Sequence, residues 1–164
     1  CHSQWHLEYR MSTLELKEIQ APSGFDLQMP AGHIVDVTTV QMSSSMSTSS
    51  SSFTDVMTAT VTPKNASNKF IIQVVMRWQE STSVDHFKAQ IYDKTNSSLI
   101  GGSGNYGQYN SGSANVIGVW PFTTITNATN TTAREYAFQA ATSGTLHINV
   151  NDYWSTLVIW EIQG

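Results

Sequence analysis

Apolar and polar residues alternate along several stretches of the chain. In FIIQVVMRW (70–78), every second residue starting at Phe70 is apolar and points one way. A period of two is typical of a β-strand, because successive side chains of a strand point to opposite faces. The stretches FKAQIYD (87–93), REYAFQA (134–140) and TLHINVN (145–151) show the same alternation. The predicted inward-facing residues are Phe70, Ile72, Val74, Met76, Trp78, Phe87, Ala89, Ile91, Tyr136, Phe138, Ala140, Leu146, Ile148 and Val150.

Four shorter stretches, residues 33–40, 55–62, 115–122 and 155–162, are also rich in β-branched and aromatic residues. Turn-forming residues separate the stretches. Together they predict about eight strands. This spacing favours an all-β sandwich or jelly roll over a fold that alternates strands with helices.

Only residues 12–20, STLELKEIQ, have an amphipathic or helical character, and Pro22 ends this segment. Its apolar residues Leu14, Leu16 and Ile19 are too few to form a core. We therefore predict two parts: an amino-terminal arm, residues 1–29, which anchors the protein, and a β-sandwich, residues 30–164.

A serine run lies between two of the predicted strands, with eight serines between Ser43 and Ser52. A linker here would leave a single strand on its amino-terminal side, and an isolated strand is marginal in water. We therefore interpret residues 42–53 as a loop within one domain.

The last predicted strand, TLVIWEI (156–162), is apolar on both faces. A surface strand of a monomeric sandwich normally shows polar residues on one face. Either loops of the same chain cover the second face, or another subunit does. The residues of this candidate interface are Val158, Trp160 and Ile162. Glu161 points the other way and needs solvent or a partner such as Arg77 or Arg134.

The composition excludes several functions. Eight basic residues without a cluster cannot neutralise a run of phosphates, so nucleic-acid binding is not expected. No apolar run is long enough to cross a bilayer, so no membrane association is expected. The first thirty residues lack a signal-peptide pattern. Cys1 is the only cysteine, so the chain has no internal disulfide.

No catalytic or metal site is expected. The acidic residues of the β domain fall mostly at strand ends and in turns, where a solvated role is usual. A metal site could draw on Asp85, His86, His33 and His147, but their spacing matches no known ligand pattern. We predict no enzyme activity, no metal and no cofactor.

A glycine-rich stretch, GGSGNYGQYNSGS (101–113), combines backbone freedom with aromatic faces and amides. Such groups suit sugar rings and serve antibody paratopes. The stretch is either a hairpin tip without a ligand or a receptor-binding loop. The candidate binding residues are Asn105, Tyr106, Gln108, Tyr109 and Asn110.

Four stretches resemble, in order, a family of small virion proteins and fibre-tip domains of tailed bacteriophages, common in marine and cyanobacterial phages. They are MSTLELKEIQ (11–20), MPAGHIVDV (29–37), SSFTDVMTATVTPKNASNKFIIQV (51–74) and STLVIWEIQ (155–163). Residues 1–10 precede the part that resembles the family.

The resemblance implies a homotrimeric jelly-roll knob on the virion surface, either a capsid decoration (cement) protein or a tail- or head-fibre protein. Its partners would be other phage structural proteins, bound through the arm residues Leu14, Leu16 and Ile19, and a host-surface glycan is a candidate ligand. The alternative from another class is a secreted carbohydrate-binding module or lectin, which would bind a glycan as a monomer.

Overall fold

The structure is a computed structural model, and it describes residues 31–81, 85–102, 108–110, 116–149 and 154–164. These residues form two antiparallel sheets and no helix. The predicted all-β sandwich is therefore confirmed. The strands are Ile34–Gln41 (β1), Met46–Thr48 (β2), Thr54–Val61 (β3), Lys69–Glu80 (β4), Asp85–Asp93 (β5), Ser98–Gly102 (β6), Gln108–Asn110 (β7), Val116–Asn127 (β8), Arg134–Thr142 (β9), Leu146–Ile148 (β10) and Thr156–Ile162 (β11).

The strand order is that of a jelly roll. The six-stranded sheet runs β1-β11-β4-β8, with β10 and β2 completing it beside the second half of β4. The five-stranded sheet runs β3-β9-β5-β6, with β7 continuing beside β5 beyond β6. Apart from β2, β7 and β10, eight strands thus form two four-stranded layers. The chain passes repeatedly from one layer to the other, as in a double Greek key.

The core lies between the two sheets and contains the residues that alternation predicts. From Phe70 to Trp78, every second side chain is at most 4% exposed, and the predicted inward residues of β5, β9 and β10 are fully buried. At one end, aromatic rings fill the space: Phe87 lies 5.2 Å from Trp78 and 6.1 Å from Trp120, measured between ring centroids. Burial of these large rings contributes much of the sandwich's stability. Val150 lies outside the described residues.

Three short strands were not predicted, and one predicted strand is shorter than expected. The serine run is not a loop throughout, because its Met46–Thr48 segment pairs with β10. β6 and β7 both include parts of the glycine-rich stretch. The strand predicted for residues 145–151 is regular only at Leu146–Ile148, since Asn149 has a φ of 60°. An asparagine tolerates this left-handed conformation, which turns the backbone out of the ladder.

Side chains of Asn149 and Ser50 hold the serine run in place. The Asn149 side-chain amide donates to the carbonyl oxygens of Met42 and Ser44, at 3.4 and 3.0 Å. The Ser50 hydroxyl donates to the carbonyl oxygen of Ser52 at 2.7 Å. The run connects β1 of one sheet with β3 of the other. It is thus built into the sandwich on both sides.

The sandwich has two distinct ends. At one end, the amide of Gly32 donates to the carbonyl of Gln163, and Lys69 of β4 pairs with Ile162. At the other end of β4, Glu80 pairs with Leu146 and Val116. The chain therefore enters β1 at one end of the sandwich, and the β4–β5 connection lies at the opposite end. No helix in the described part of the chain is long and apolar enough to span a membrane.

Candidate subunit interface and ligand sites

An apolar row crosses the outer face of the six-stranded sheet. Trp160 of β11 pairs directly with Val37 of β1 on one side and with Ile71 of β4 on the other. Ile71 in turn pairs with Ile125 of β8. Directly opposed residues share a face of the sheet, so the four side chains form one continuous row. Since Ile159 and Glu161 beside Trp160 point into the sandwich and are buried, this row faces outward.

The apolar surface extends along β8, which forms an edge of the sheet. Its outward residues Ile117, Val119 and Ile125 are 42%, 53% and 62% exposed. On β11, Val158 and Ile162 share the outer face with Trp160 and are half-buried. Contiguous apolar patches on a monomer's surface mark interaction sites when they are large. The three predicted interface residues therefore belong to a wider surface that spans four strands, here called the apolar face. Its central row is apolar throughout, whereas the neighbouring row through Val158 also contains Thr39, Gln73 and Thr123.

Pro121 lies at the middle of β8 and is paired with Val75. A proline has no backbone N–H, and within sheets it is confined to edges, first positions or bulges. An added strand could not pair continuously along this edge. A partner strand therefore cannot simply extend the sheet at its β8 edge.

The five-stranded sheet carries a network of charged and amide side chains, although Leu99 of β6 is also exposed. Asp55 of β3 accepts hydrogen bonds from the Lys94 ammonium and from the Gln139 amide, both at 2.7 Å. Gln90 donates to the Gln139 side-chain oxygen at 2.7 Å, and Lys94 lies 3.2 Å from a Glu135 carboxylate oxygen. The hydrogen bond from Lys94, and then that from Gln139, lowers the pKa of Asp55, and the same bond to Asp55 raises the pKa of Lys94. A network of this kind suits contact with water.

The Glu161 carboxylate points inward, as predicted, but neither Arg77 nor Arg134 is its hydrogen-bond partner. Its Oε1 atom accepts from the backbone N–H of Lys64 at 2.7 Å and from the Asn68 amide at 2.6 Å. The expectation of an arginine partner is therefore wrong. The β3–β4 turn folds over the end of β11 and supplies uncharged donors.

Two carboxylates meet at a cavity of about 240 Å³ between β1 and β3. Asp36 pairs with Glu161 across β1 and β11, and Lys64 lies 3.4 Å from Asp36. No local sequence pattern relates these two residues, because their juxtaposition depends on the pairing of β1 with β11. Glu161 is engaged by the turn and Asp36 by the ion pair, so both carboxylates have structural partners.

The predicted receptor loop is only partly described. Asn105 and Tyr106 lie outside the described residues. Gln108, Tyr109 and Asn110 form β7, whose backbone pairs with Phe87, His86 and Asp85 of β5. The interpretation of this stretch as a loop throughout is wrong for residues 101–102, which belong to β6, and for residues 108–110.

The other predicted sites have different outcomes. The arm residues Leu14, Leu16 and Ile19 lie outside the described residues. Within the described ranges, no group of three or more His, Cys, Asp or Glu side chains could hold a metal ion.

Trp154 was not singled out in the sequence, yet it is the most exposed large apolar side chain described, at 68%. It lines an open cavity of about 410 Å³ together with Gln41, Met42 and Ser43. A tryptophan just before an apolar strand is indistinguishable in sequence from one that is buried. Only the fold places it beside the serine run.

No protein-family model matches the chain, and no curated protein sequence matches it. Among solved structures it is similar to viral capsid proteins of infectious bursal disease virus. A mutant VP2 in T=1 particles has a TM-score of 0.48 and 12% identity over 89% of this chain and 40% of that one. The Gx-strain structure has a TM-score of 0.47 and 13% identity, over 91% of this chain and 42% of that one. The T13 viral particle has a TM-score of 0.49 and 12% identity, over 89% of this chain and 39% of that one. The chain spans about two fifths of their length, and the similarity at these identities is one of fold.

Proposed function

We propose that this chain is a structural protein of a bacteriophage virion, a homotrimeric jelly-roll knob on the particle surface. It would serve as a capsid decoration (cement) protein or as part of a tail or head fibre. The phage assignment and the trimer come from the resemblance of the four sequence stretches. Jelly rolls are common in capsid proteins and also in lectins, so the fold alone supports this function only by analogy.

The observation that supports an assembled protein best is the apolar face. Its central row, Val37–Trp160–Ile71–Ile125, carries no polar side chain across four strands. Fully burying an aliphatic side chain contributes roughly 1.5–3 kcal/mol. Covering each half-exposed residue by another subunit would therefore contribute about half of that free energy. A free monomer would leave this surface in water.

The polar network on the opposite sheet supports one orientation of the knob. Lys94 and Asp55 already bond each other there, so contact with an apolar partner would desolvate charges. We infer that the six-stranded sheet faces the neighbouring subunits and the five-stranded sheet faces solvent. Three chains around an axis repeat the same contact without leaving a free apolar face.

The arm is proposed to join the knob to other phage proteins. Described backbone enters β1 at Gly32, at one end of the sandwich. An arm that continued past that end would place the β4–β5 end away from the particle. The alternating residues Leu14, Leu16 and Ile19 are the proposed anchor. Among these roles we favour a decoration or appendage protein.

A non-enzymatic role agrees with the partners of the acidic residues. The two carboxylates that face each other, Asp36 and Glu161, are held by Lys64 and by the β3–β4 turn. General acid–base catalysis on a glycoside needs a pair of carboxylates flanking the substrate, one of them positioned to transfer a proton. An oxygen that already accepts two short hydrogen bonds is poorly placed for that task.

The second candidate is a secreted carbohydrate-binding module or lectin, which the exposed Trp154 favours. The two functions differ in oligomeric state. The virion protein is expected to be a trimer, whereas the carbohydrate-binding module would be a monomer. Light scattering coupled to gel filtration tests this difference directly. The virion protein should elute at three times the 18.1 kDa chain mass, without added ligand.

A second measurement tests the virion assignment itself. Antibody raised against the isolated protein should label intact phage particles by electron microscopy, at regular sites on the capsid or on an appendage. A monomer by light scattering, together with unlabelled particles, would contradict the proposal.

A further inference from the structure

We propose that the cavity beside Trp154 is a binding site for an uncharged sugar ring. Its described walls are Trp154 and residues 41–43, which lie at the end of β1 and the start of the serine run. The site differs from the glycine-rich stretch and from the residues of the apolar row. Sugar binding concerns the chain itself, whereas its role in attachment to a host rests on the proposed function.

Hydrogen bonds hold the backbone next to the lining residues in place. Ser155, next to Trp154, is fully buried, and its hydroxyl accepts from the Arg77 backbone N–H at 3.0 Å. Its own N–H donates to the Asn149 side-chain oxygen at 2.9 Å, and its carbonyl accepts from the Met42 N–H at 3.0 Å. One residue therefore links the backbone beside Trp154 to the backbone of Met42.

Asn149 holds the backbone of residues 42–44 in place. It is 5% exposed, and its amide donates to the carbonyl oxygens of Met42 and Ser44. The left-handed backbone of Asn149 is thus part of the scaffold that positions this site. A site whose walls are fixed before binding loses less conformational entropy when the ligand enters.

The chemistry of the walls points to a sugar. The indole of Trp154 offers a large flat apolar surface, on which the C–H face of a pyranose ring can stack. Gln41 brings an amide that both donates and accepts hydrogen bonds, and Ser43 brings a hydroxyl. Met42 supplies an adaptable apolar contact. A few polar groups around an apolar surface are typical of small-molecule sites, and a volume of about 410 Å³ accommodates one or two rings.

The charge of the site favours an uncharged ligand. None of the described lining residues is charged, so these four residues offer no cation to an anionic sugar or a phosphate. The chain as a whole carries a net charge of −4, which also disfavours anions. The site lies beside the start of the serine run, away from the Gly32–Gln163 end where the backbone enters β1. On an arm-anchored knob it would be accessible to a host surface.

The test uses the whole chain and nuclear magnetic resonance. The indole N–H resonance of Trp154 is assigned by its loss in Trp154→Phe. Linear tetrasaccharides of glucose, galactose and mannose are then titrated, with sialyllactose as the anionic comparison. At least one neutral tetrasaccharide should shift the Trp154 resonance in a saturable manner. Trp154→Ala should weaken that binding at least about tenfold, and Trp154→Phe should largely preserve it. Gln41→Ala should weaken it less.

Light scattering on the same variants separates this proposal from the proposed function. Trp154→Ala should keep the molar mass of the wild type, whatever that mass is. A wild-type monomer that still binds the sugar would contradict the trimer but support this site. The site proposal is overturned if no neutral tetrasaccharide shifts the Trp154 resonance, or if only sialyllactose does. A Trp154→Ala protein that binds as well as the wild type, or that changes its oligomeric mass, would also overturn it.

Discussion

The Oε1 atom of Glu161 accepts a hydrogen bond from the side-chain amide of Asn68 at 2.6 Å, although 93 positions separate the two residues in the chain. The bond joins the last strand to the β3–β4 turn. The Asn68 side-chain oxygen accepts from the Gly164 N–H, and its backbone carbonyl accepts from the Ala128 N–H. Asn68 thereby connects three segments at the Gly32–Gln163 end of the sandwich.

Replacing Glu161 should destabilise this end of the molecule. Glu161→Ala leaves the Lys64 N–H and the Asn68 amide without their acceptor, and hydrogen bonds to charged groups contribute ~1.5–3 kcal/mol each. We expect the free energy of unfolding to fall by roughly 3–5 kcal/mol in urea denaturation. Glu161→Gln keeps one acceptor oxygen and should lower the free energy of unfolding by about half as much or less. Equal losses for both variants would show that packing dominates over the hydrogen bonds.

A charge placed on the apolar face should prevent assembly without unfolding the chain. Ile125→Lys puts an ammonium at the end of the central row, where a covering subunit would have to desolvate it. Trp160→Ala removes the largest side chain of the row. Both variants should move the light-scattering mass towards 18.1 kDa while their circular dichroism stays that of a β protein.

The matched control for these variants is Thr58→Lys, an exposed position on β3 of the opposite sheet. It should leave the mass of the wild type unchanged. If Thr58→Lys dissociates the protein and Ile125→Lys does not, the subunits meet through the other sheet.

The network around Asp55 predicts a small pH dependence of stability. Because the pKa of Asp55 is lowered in the folded state, its contribution is present above the ordinary value of about 3.9. The contribution is lost as the pH falls through the lowered pKa. The raised pKa of Lys94 acts at the other extreme: its contribution is present below about 10.4 and lost as the pH rises through the raised value.

Asp55→Asn tests this network. The groups are exposed, so the effect is small, and thermal melts at pH 7 should show a Tm lowered by at most a few degrees. The difference from the wild type should shrink as the pH falls through the lowered pKa of Asp55. A difference that stays constant as the pH is lowered would mean that Asp55 acts through packing.

Gly118 is required by its neighbour in the sheet. It pairs with Trp78, and a Cβ at position 118 would lie 2.6 Å from Cζ2 of that indole. The indole has little room to move, because it packs against Phe87 in the core. Gly118→Ala should therefore lower the free energy of unfolding by about 1–3 kcal/mol, the usual cost of overpacking.

A double-mutant cycle checks this cause. In a Trp78→Phe background, the smaller ring leaves space for the methyl group, so Gly118→Ala should cost clearly less. Thr123→Ala on the same strand serves as the control, since that side chain is exposed. Additive effects of Gly118→Ala and Trp78→Phe would contradict the steric explanation.

Removal of the arm should separate anchoring from folding. The core between the two sheets is built from residues of β3 onwards, and Gly32 is the first residue with a described backbone hydrogen bond. A chain that begins at Met29 should therefore fold and keep the melting temperature of the full chain. It should no longer bind phage particles that lack the native protein. Normal incorporation of the truncated chain would place the anchor elsewhere.

The alternation of side chains determined most of the layered fold in advance. The predicted inward residues of β4, β5 and β9 are buried, because a period of two leaves a strand only one way to hide its apolar side. The same reasoning identified Val158, Trp160 and Ile162 as facing away from the core. These conclusions need only local geometry and the presence of a second layer.

Only the tertiary structure decided which strands are neighbours. The apolar row joins Val37, Trp160, Ile71 and Ile125, and no local pattern relates residues so far apart in the chain. The need of Glu161 for a partner was predicted, but the two arginines suggested for it were wrong for the same reason: the sequence shows that a buried carboxylate needs donors but not which turn folds over it. The cavity beside Trp154 also depends on pairing, since β1 and the segment before β11 meet only in the folded sheet. Local alternation sets the direction of each side chain, whereas strand order and register set its neighbours.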